Sequence, residues 1–226
     1  MDINGHLREL EKLGSEKLRG QNANRGVHST HFGVKMGDIR KLAKPLKTNH
    51  ALAKKLWETE IFEARLLAIL IIDIKALGGD DLDKMVRGNS ETPVADWLAS
   101  YVIKKHPEKE VLRLNWMKTA HPMAARAGWS LTAERIENTP EGLGLPEILD
   151  QIEAEMPNAP SEMQWTMNMA LANIGIHHAA LRPRALEIGE SLGIFRDYPT
   201  PKGCTSPFAP LWIGEMVRRQ EVSGKT

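Results

Sequence analysis

Residues 60–77 read Glu-Ile-Phe-Glu-Ala-Arg-Leu-Leu-Ala-Ile-Leu-Ile-Ile-Asp-Ile-Lys-Ala-Leu, and this stretch decides the fold class. The part from Ala68 to Ile74 is rich in β-branched residues and, taken alone, resembles a buried strand. The whole stretch, however, contains no glycine or proline, opens with helix formers and ends just before Gly78 and Gly79. Its length and its termination therefore predict one helix over residues 60–77.

Helical spacing of apolar residues continues on both sides of this stretch, and no segment alternates cleanly with a period of two. Prolines and glycines divide the rest of the chain into short helical segments with tight connections. The sequence therefore predicts an all-α protein of about ten helices, forming a single domain over residues 1–226. After residue 77 the predicted helices lie near 80–88, 93–105, 108–118, 121–135, 145–155, 161–175, 179–192 and 208–221.

Four of these helices each carry one polar residue inside an otherwise apolar or small stretch. The residues are separated by 31, 30 and 42 positions, roughly one helix pair, as expected if each marks the same helix of successive repeats. A solenoid of stacked antiparallel helix pairs would place them in a row along one concave surface. Alternatively, each is satisfied separately in the interior and only ties helices together. The four residues are Arg65, Asp96, Arg126 and Asn168.

Charge is distributed unevenly although the formal net charge is only +1. Residues 35–55 hold seven basic side chains and one acidic one, whereas residues 137–162 hold seven acids and no lysine or arginine. Each region is either a solvated helix face or an interaction surface. The basic region is the one whose sign suits a nucleic acid.

Other features restrict the class of protein. The first residues form no secretory leader, and the longest apolar run, Leu66–Ile72, is too short to cross a bilayer. Cys204 is the only cysteine, so the chain has no internal disulfide. We therefore expect a cytoplasmic protein without a membrane segment, and we expect it to act as a monomer.

Several motifs resemble those of the HEAT-like DNA alkylation repair family, and together they run from about residue 30 to residue 220. They include Phe32-Gly-Val-Lys-Met-Gly-Asp-Ile-Arg-Lys-Leu-Ala-Lys, Glu63-Ala-Arg-Leu-Leu-Ala and Ala125-Arg-Ala-Gly-Trp. Trp165-Thr-Met-Asn-Met-Ala-Leu and Lys202-Gly-Cys-Thr-Ser-Pro-Phe-Ala-Pro resemble a subgroup of the family. The resemblance implies HEAT-like repeats, binding of duplex DNA that is alkylated or otherwise distorted, and release of cationic N3- and N7-alkylated purines without a cofactor.

The resemblance also implies roles for particular residues. A cationic base is a good leaving group, so its excision mainly needs a carboxylate that stabilises an oxocarbenium-like sugar. Asp96 matches the family's catalytic carboxylate, and Arg126 matches an arginine that holds the DNA backbone. Thr92 and Met169 stand where the family has tryptophans. The other expected DNA-binding residues are Lys35, Arg40, Lys41, Lys44, Arg65, Trp129, Trp165 and Asn168.

Two functional hypotheses remain open on the sequence alone. One is a DNA glycosylase for alkylated purines, and the other is a non-enzymatic HEAT-like module that binds DNA or a protein; Thr92 favours the second. A metal site is not expected, because the adjacent His177 and His178 point about a quarter-turn apart on a helix end. The proline-rich loop at 196–210 is either a binding edge or a simple crossover.

Overall fold

A computed structural model describes residues 2–224, and these residues form α-helices, two short 3₁₀ helices and loops, without a strand. The prediction of an all-α protein is therefore confirmed. The helices are α1 Ile3–Lys12, α2 Glu16–Ala23, α3 Met36–Leu46, α4 His50–Glu58, α5 Phe62–Ile71, α6 Gly79–Arg87, α7 Thr92–Tyr101, α8 Lys109–Trp116, α9 Pro122–Asn138, α10 Leu145–Glu155, α11 Ser161–His177, α12 Arg182–Leu192 and α13 Ala209–Val222, with 3₁₀ helices at Ile103–Lys105 and Met156–Asn158.

The helix predicted over residues 60–77 is shorter than expected. It ends at Ile71, because Ile72 adopts an extended conformation with φ −67° and ψ 141°. The carboxylate of Asp73 then accepts a hydrogen bond from the backbone N–H of Lys75 at 3.0 Å. Such a local turn competes with helical hydrogen bonding, so the C-terminal boundary of the prediction was wrong.

The chain divides into two compact units, the first ending at Leu112 and the second beginning at Arg113. The single domain expected over residues 1–226 stays a prediction. In the first unit, α5 is the central helix: α3, α4 and α7 all pack against it. Every residue of α5 except Leu70 is buried, which explains why its sequence is apolar on all sides.

The second unit is organised around α9 and α11, which pack along each other, and α12 and α13 also pack on α11. Gly189 allows α12 and α13 to approach each other closely, because a Cβ at this position would lie 2.8 Å from Pro210 Cδ of α13. The core of this unit contains Trp129, Ala133, Ile136, Leu149, Ile152, Met156, Met167, Ala170, Leu171, Ala172, Ile174, Ile176, Ala185, Ile188, Ala209 and Ile213.

No helix between residues 2 and 224 is both long enough and apolar enough to cross a membrane.

Candidate nucleic-acid interface

The segment that leads into α3 is held by the buried carboxylate of Glu63. This side chain, at the start of α5, accepts hydrogen bonds from the backbone N–H groups of Phe32, Gly33 and Val34 at 2.9, 2.8 and 3.1 Å. Gly33 has φ +77°, and a Cβ there would lie 2.7 Å from the backbone nitrogen of Arg19. Only glycine fits this turn without strain. Glu63 and Gly33 together therefore fix the segment that leads into α3.

A second buried carboxylate holds the preceding residues of the same segment. Glu91, the N-cap of α7, accepts hydrogen bonds from the backbone N–H groups of His28 and Ser29, both at 2.9 Å. Asn89 supports it by donating to the Glu91 carbonyl at 2.9 Å. The basic helix α3 is thus connected to α5 and α7 through the two carboxylates.

Helix α3 presents exposed cations. Lys35, Arg40, Lys41 and Lys44 are all exposed, and Arg40 and Lys44 share one helix face because they are four residues apart. Lys41 donates a hydrogen bond to Asp38 at 2.8 Å, and this bond lowers the pKa of Asp38 and raises the pKa of Lys41. Part of the Lys41 charge is therefore already compensated, whereas Arg40 faces an aromatic surface.

Arg40 joins α3 to the aromatic side chains of α7. Its guanidinium carbon lies 4.6 Å from the ring centroid of Trp97, and its Nε donates to the Tyr101 hydroxyl at 3.1 Å. The Trp97 and Tyr101 rings are 5.3 Å apart at 41°, and Lys105 Nζ lies 5.7 Å from the Tyr101 centroid. We call Arg40, Trp97, Tyr101 and Lys105 the cation–aromatic array.

The expected catalytic carboxylate lies on α7, the helix that also carries Trp97 and Tyr101. Asp96 is exposed on α7 and directly precedes Trp97. Thr92 is the first residue of the same helix, so the helix turn that carries a tryptophan in the family lacks an aromatic ring here. Trp97 directly follows Asp96 in the sequence of α7, and its ring contacts Arg40 and Tyr101.

The four regularly spaced polar residues do mark every second helix, since they lie on α5, α7, α9 and α11. Arg65, Arg126 and Asn168 are nevertheless buried. Arg126 Nη1 donates to the Glu162 carbonyl at 2.7 Å, and Asn168 Nδ2 donates to the Pro207 carbonyl at 2.8 Å. The structure thus favours the interior role for these three, and their placement along one concave surface stays a prediction.

The buried Arg65 side chain contacts Trp57 and Glu60 of the first unit. Its Nη2 is 3.4 Å from Glu60 Oε1, its Nε is 3.5 Å from the Trp57 carbonyl, and its guanidinium carbon lies 5.0 Å from the Trp57 ring centroid. The Arg65 side chain thus links α5 to the end of α4 and to the loop between the two helices.

The tryptophans expected to contact DNA differ in exposure. Trp129 is 1% exposed and belongs to the core of the second unit, so its ring offers no surface for a base. Trp165 is partly exposed, and its ring meets Phe195 edge-on at a centroid distance of 5.3 Å and Tyr198 in a tilted arrangement at 5.7 Å. Met169 packs against the core.

Sequence reasoning missed four residues of this region: Glu63, Glu91, Tyr101 and Lys105. An acid inside the apolar stretch 60–77 was a signal for Glu63, because a buried carboxylate needs several donors. The spacing of Trp97 and Tyr101, four residues apart, indicated that their rings share one helix face.

His178 and Cys204, whose side chains are of types that can bind a metal, have different surroundings. The His178 ring lies 2.9 Å from the Ile136 carbonyl through Nε2, and Cys204 is exposed in the loop before α13. Across residues 2–224, no cluster of three or more histidine, cysteine, aspartate or glutamate side chains is arranged to hold a metal ion.

Comparison with known proteins supports the resemblance. A search of curated proteins finds no match. One solved structure, described as "a new family of proteins related to the HEAT-like repeat DNA glycosylases with affinity for branched DNA structures", is similar over 100% of this chain and 96% of its own, with 23% identity and a TM-score of 0.78. This likeness shows the HEAT-like repeat fold of stacked antiparallel helix pairs. The family model described as "DNA alkylation repair enzyme" matches residues 6–209, and the chain therefore belongs to the DNA alkylation repair family.

Proposed function

We propose that this protein is a DNA-binding repair protein that contacts duplex DNA through α3 and the exposed face of α7. The cation–aromatic array carries the proposal. Its cations can contact phosphates, and releasing the counterions of those phosphates favours binding. Its rings offer stacking surfaces to bases that have lost their normal neighbours.

Within this proposal, the preferred DNA is branched or otherwise distorted. The similar solved structure belongs to proteins with affinity for branched DNA, and membership of the family supports a repair role. An aromatic ring next to a cation suits such DNA, because unstacked bases at a branch expose their faces. A cytoplasmic location and a monomeric state belong to the same proposal.

The test compares a four-way junction with a linear duplex of the same sequence, measured by fluorescence anisotropy at low salt. The junction is expected to bind more tightly, and the double variant Lys41→Glu/Lys44→Glu should weaken binding to both. Lys12→Glu/Lys17→Glu makes the same charge change at exposed positions of α1 and α2 and is expected to bind almost as wild type does. Equal loss in the two double variants would show a general charge effect and contradict the proposed surface.

A second candidate function is excision of an alkylated base, and the exposed carboxylate of Asp96 on α7 favours it. A carboxylate stabilises a cationic sugar, and an aromatic face attracts a cationic base. Asp96→Asn preserves size and removes the charge, so it should abolish base release from methylated duplex DNA, measured by mass spectrometry of the free base. Asp80→Asn, at an exposed position of α6, is the control. If Asp96→Asn and the wild-type protein release methylated base equally fast, Asp96 is not catalytic. If the wild-type protein binds DNA but releases no base, the protein is a non-enzymatic DNA-binding module.

A further inference from the structure

The second unit contains a cavity of about 360 Å³ that the cation–aromatic array does not use. Trp165 of α11 and Trp212 of α13 contribute to its wall, and Tyr198 and the loop before α13 complete it. Ligand pockets of this size hold small organic groups. The complete lining is Trp165, Tyr198, Pro199, Thr200, Pro201, Cys204, Thr205, Ser206, Pro207 and Trp212. We call it the aromatic cavity.

The rings of the aromatic cavity are supported from within the protein. Phe195 meets Trp165 edge-on at 5.3 Å with an interplanar angle of 70°, and Tyr198 edge-on at 5.8 Å with an angle of 87°. Tyr198 is nevertheless 48% exposed. A large ring that is fixed at its edge and open to solvent is suited to stacking on a planar ligand, because little side-chain freedom remains to be lost.

The loop that closes the aromatic cavity is stiff. Prolines at 199, 201 and 207 restrict its backbone, and the buried Asn168 side chain donates to the Pro207 carbonyl at 2.8 Å. The Phe208 backbone N–H donates to the Ser206 hydroxyl at 3.2 Å, which fixes the end of the loop. The aromatic cavity is therefore already formed before a ligand arrives.

Polar and cationic groups surround the aromatic wall. The hydroxyls of Thr205 and Ser206 can donate and accept hydrogen bonds, as the edge of a nucleobase requires. Arg219 Nη2 is 3.4 Å from Thr205 Oγ1, and the exposed Lys202 lies in the same loop. A planar apolar wall with hydroxyls and a cationic rim matches the face, the edge and the phosphate of one nucleotide.

We propose that the aromatic cavity receives a single unpaired nucleobase of bound DNA. This inference rests on the proposed function, because branched and distorted DNA is the source of unpaired bases. The base stacks on Tyr198 and the tryptophan faces, while the exposed Lys202 contacts its phosphate. The preference for distorted DNA then arises in part at this cavity.

The test uses a duplex with one unpaired 2-aminopurine and the same duplex with that base paired. The wild-type protein should bind the duplex with the unpaired base about tenfold more tightly, which is the effect of one stacked base. Its binding should also quench the fluorescence of the unpaired 2-aminopurine. Tyr198→Ala should bind the two duplexes alike without quenching. Leu114→Ala removes an apolar side chain of similar exposure, 46%, from α8 and should behave as wild type. Circular dichroism checks that each variant is folded.

Cys204 gives a second readout, because it is the only cysteine of the chain and lines the aromatic cavity. The unpaired duplex should slow alkylation of its thiol several-fold, and the paired duplex should not. If wild type binds both duplexes equally, without quenching or protection, the inference is overturned and the proposed function survives. If wild type binds neither these duplexes nor a four-way junction, the proposed function fails and this inference fails with it.

Discussion

Arg40 shows how much of the proposed interface depends on the shape of one side chain. Its planar guanidinium lies 4.6 Å from the Trp97 centroid and donates to the Tyr101 hydroxyl at the same time. A lysine carries the same charge as a compact ammonium and cannot maintain both contacts with the same geometry.

Arg40→Lys is therefore expected to weaken DNA binding about three- to tenfold, while its charge remains. The melting temperature should change little, because the side chain is exposed. Arg8→Lys, at an exposed position of α1, is the control, and anisotropy titrations at one salt concentration compare the two. Equal affinities of the two variants would show that only the charge of Arg40 matters.

Glu215 links stability to pH at the surface of α13. Hydrogen bonds from Arg218 first, and then from Arg219, lower its pKa from 4.5 to about 2. A lowered folded-state pKa means that the contribution to stability is complete above the unfolded value of 4.5 and is lost as the pH falls toward about 2.

Glu215→Gln should therefore lower the melting temperature at pH 6 and converge with wild type near pH 2. The difference should shrink in 0.5 M NaCl, since exposed charges are screened. Glu221→Gln, on the same helix and exposed, provides the matched control. A pH-independent difference between Glu215→Gln and wild type would assign the effect to packing instead of charge.

Helix α5 shapes the proposed interface through the side chain of Glu63. Its first turn supplies the Glu63 carboxylate to three consecutive backbone N–H groups before α3. Because the carboxylate is fully buried, its removal leaves three donors without their partner in the interior.

Glu63→Ala should lower the free energy of unfolding by roughly 2–4 kcal/mol, as measured by urea denaturation. Gly33→Ala should also destabilise the protein, because φ +77° and the contact with Arg19 exclude a Cβ. Glu58→Gln, at an exposed position of α4, should leave the unfolding midpoint unchanged. Wild-type stability of Glu63→Ala would mean that the segment before α3 is held by other contacts.

The helices could be predicted from the sequence because periodicity and helix breakers are local signals. The end of α5 could not, since it depends on an Asp73 turn that only the folded chain reveals. Asp96 is exposed and its catalytic role stays a prediction, whereas Arg126 and Asn168, which looked equally suited to a DNA surface, are buried. Their burial depends on the Glu162 and Pro207 carbonyls, 36 and 39 residues away, and spacing along one helix contains no information about such partners.

The net charge of +1 conceals a basic region in the first unit and an acidic region in the second. DNA responds to the local cations and not to the sum. If Lys35, Arg40, Lys44 and Lys105 each neutralise one phosphate, the logarithm of the binding constant should fall with the logarithm of salt concentration at a slope of about −4.

Lys44→Gln should reduce that slope by about 1, whereas Lys41→Gln should reduce it by less, because Asp38 already accepts a hydrogen bond from Lys41. Titrations between 50 and 300 mM NaCl measure both slopes. Binding that does not change with salt would exclude phosphate contacts as the source of affinity.

The two buried carboxylates, Glu63 and Glu91, also determine the order in which the N-terminal region can fold during synthesis. The backbone N–H of His28 can bond to Glu91 only after Glu91 has been synthesised, 63 residues later. This delay is roughly 3–13 s at ordinary translation rates. Until Glu91 is made, the N–H groups of His28 and Ser29 lack the acceptor that they have in the folded protein, whereas those of Phe32, Gly33 and Val34 can already bond to Glu63. The segment that joins α1 and α2 to the rest of the chain is therefore made early but fixed late, and a nascent chain halted between Glu63 and Glu91 should remain sensitive to protease around residues 28–29.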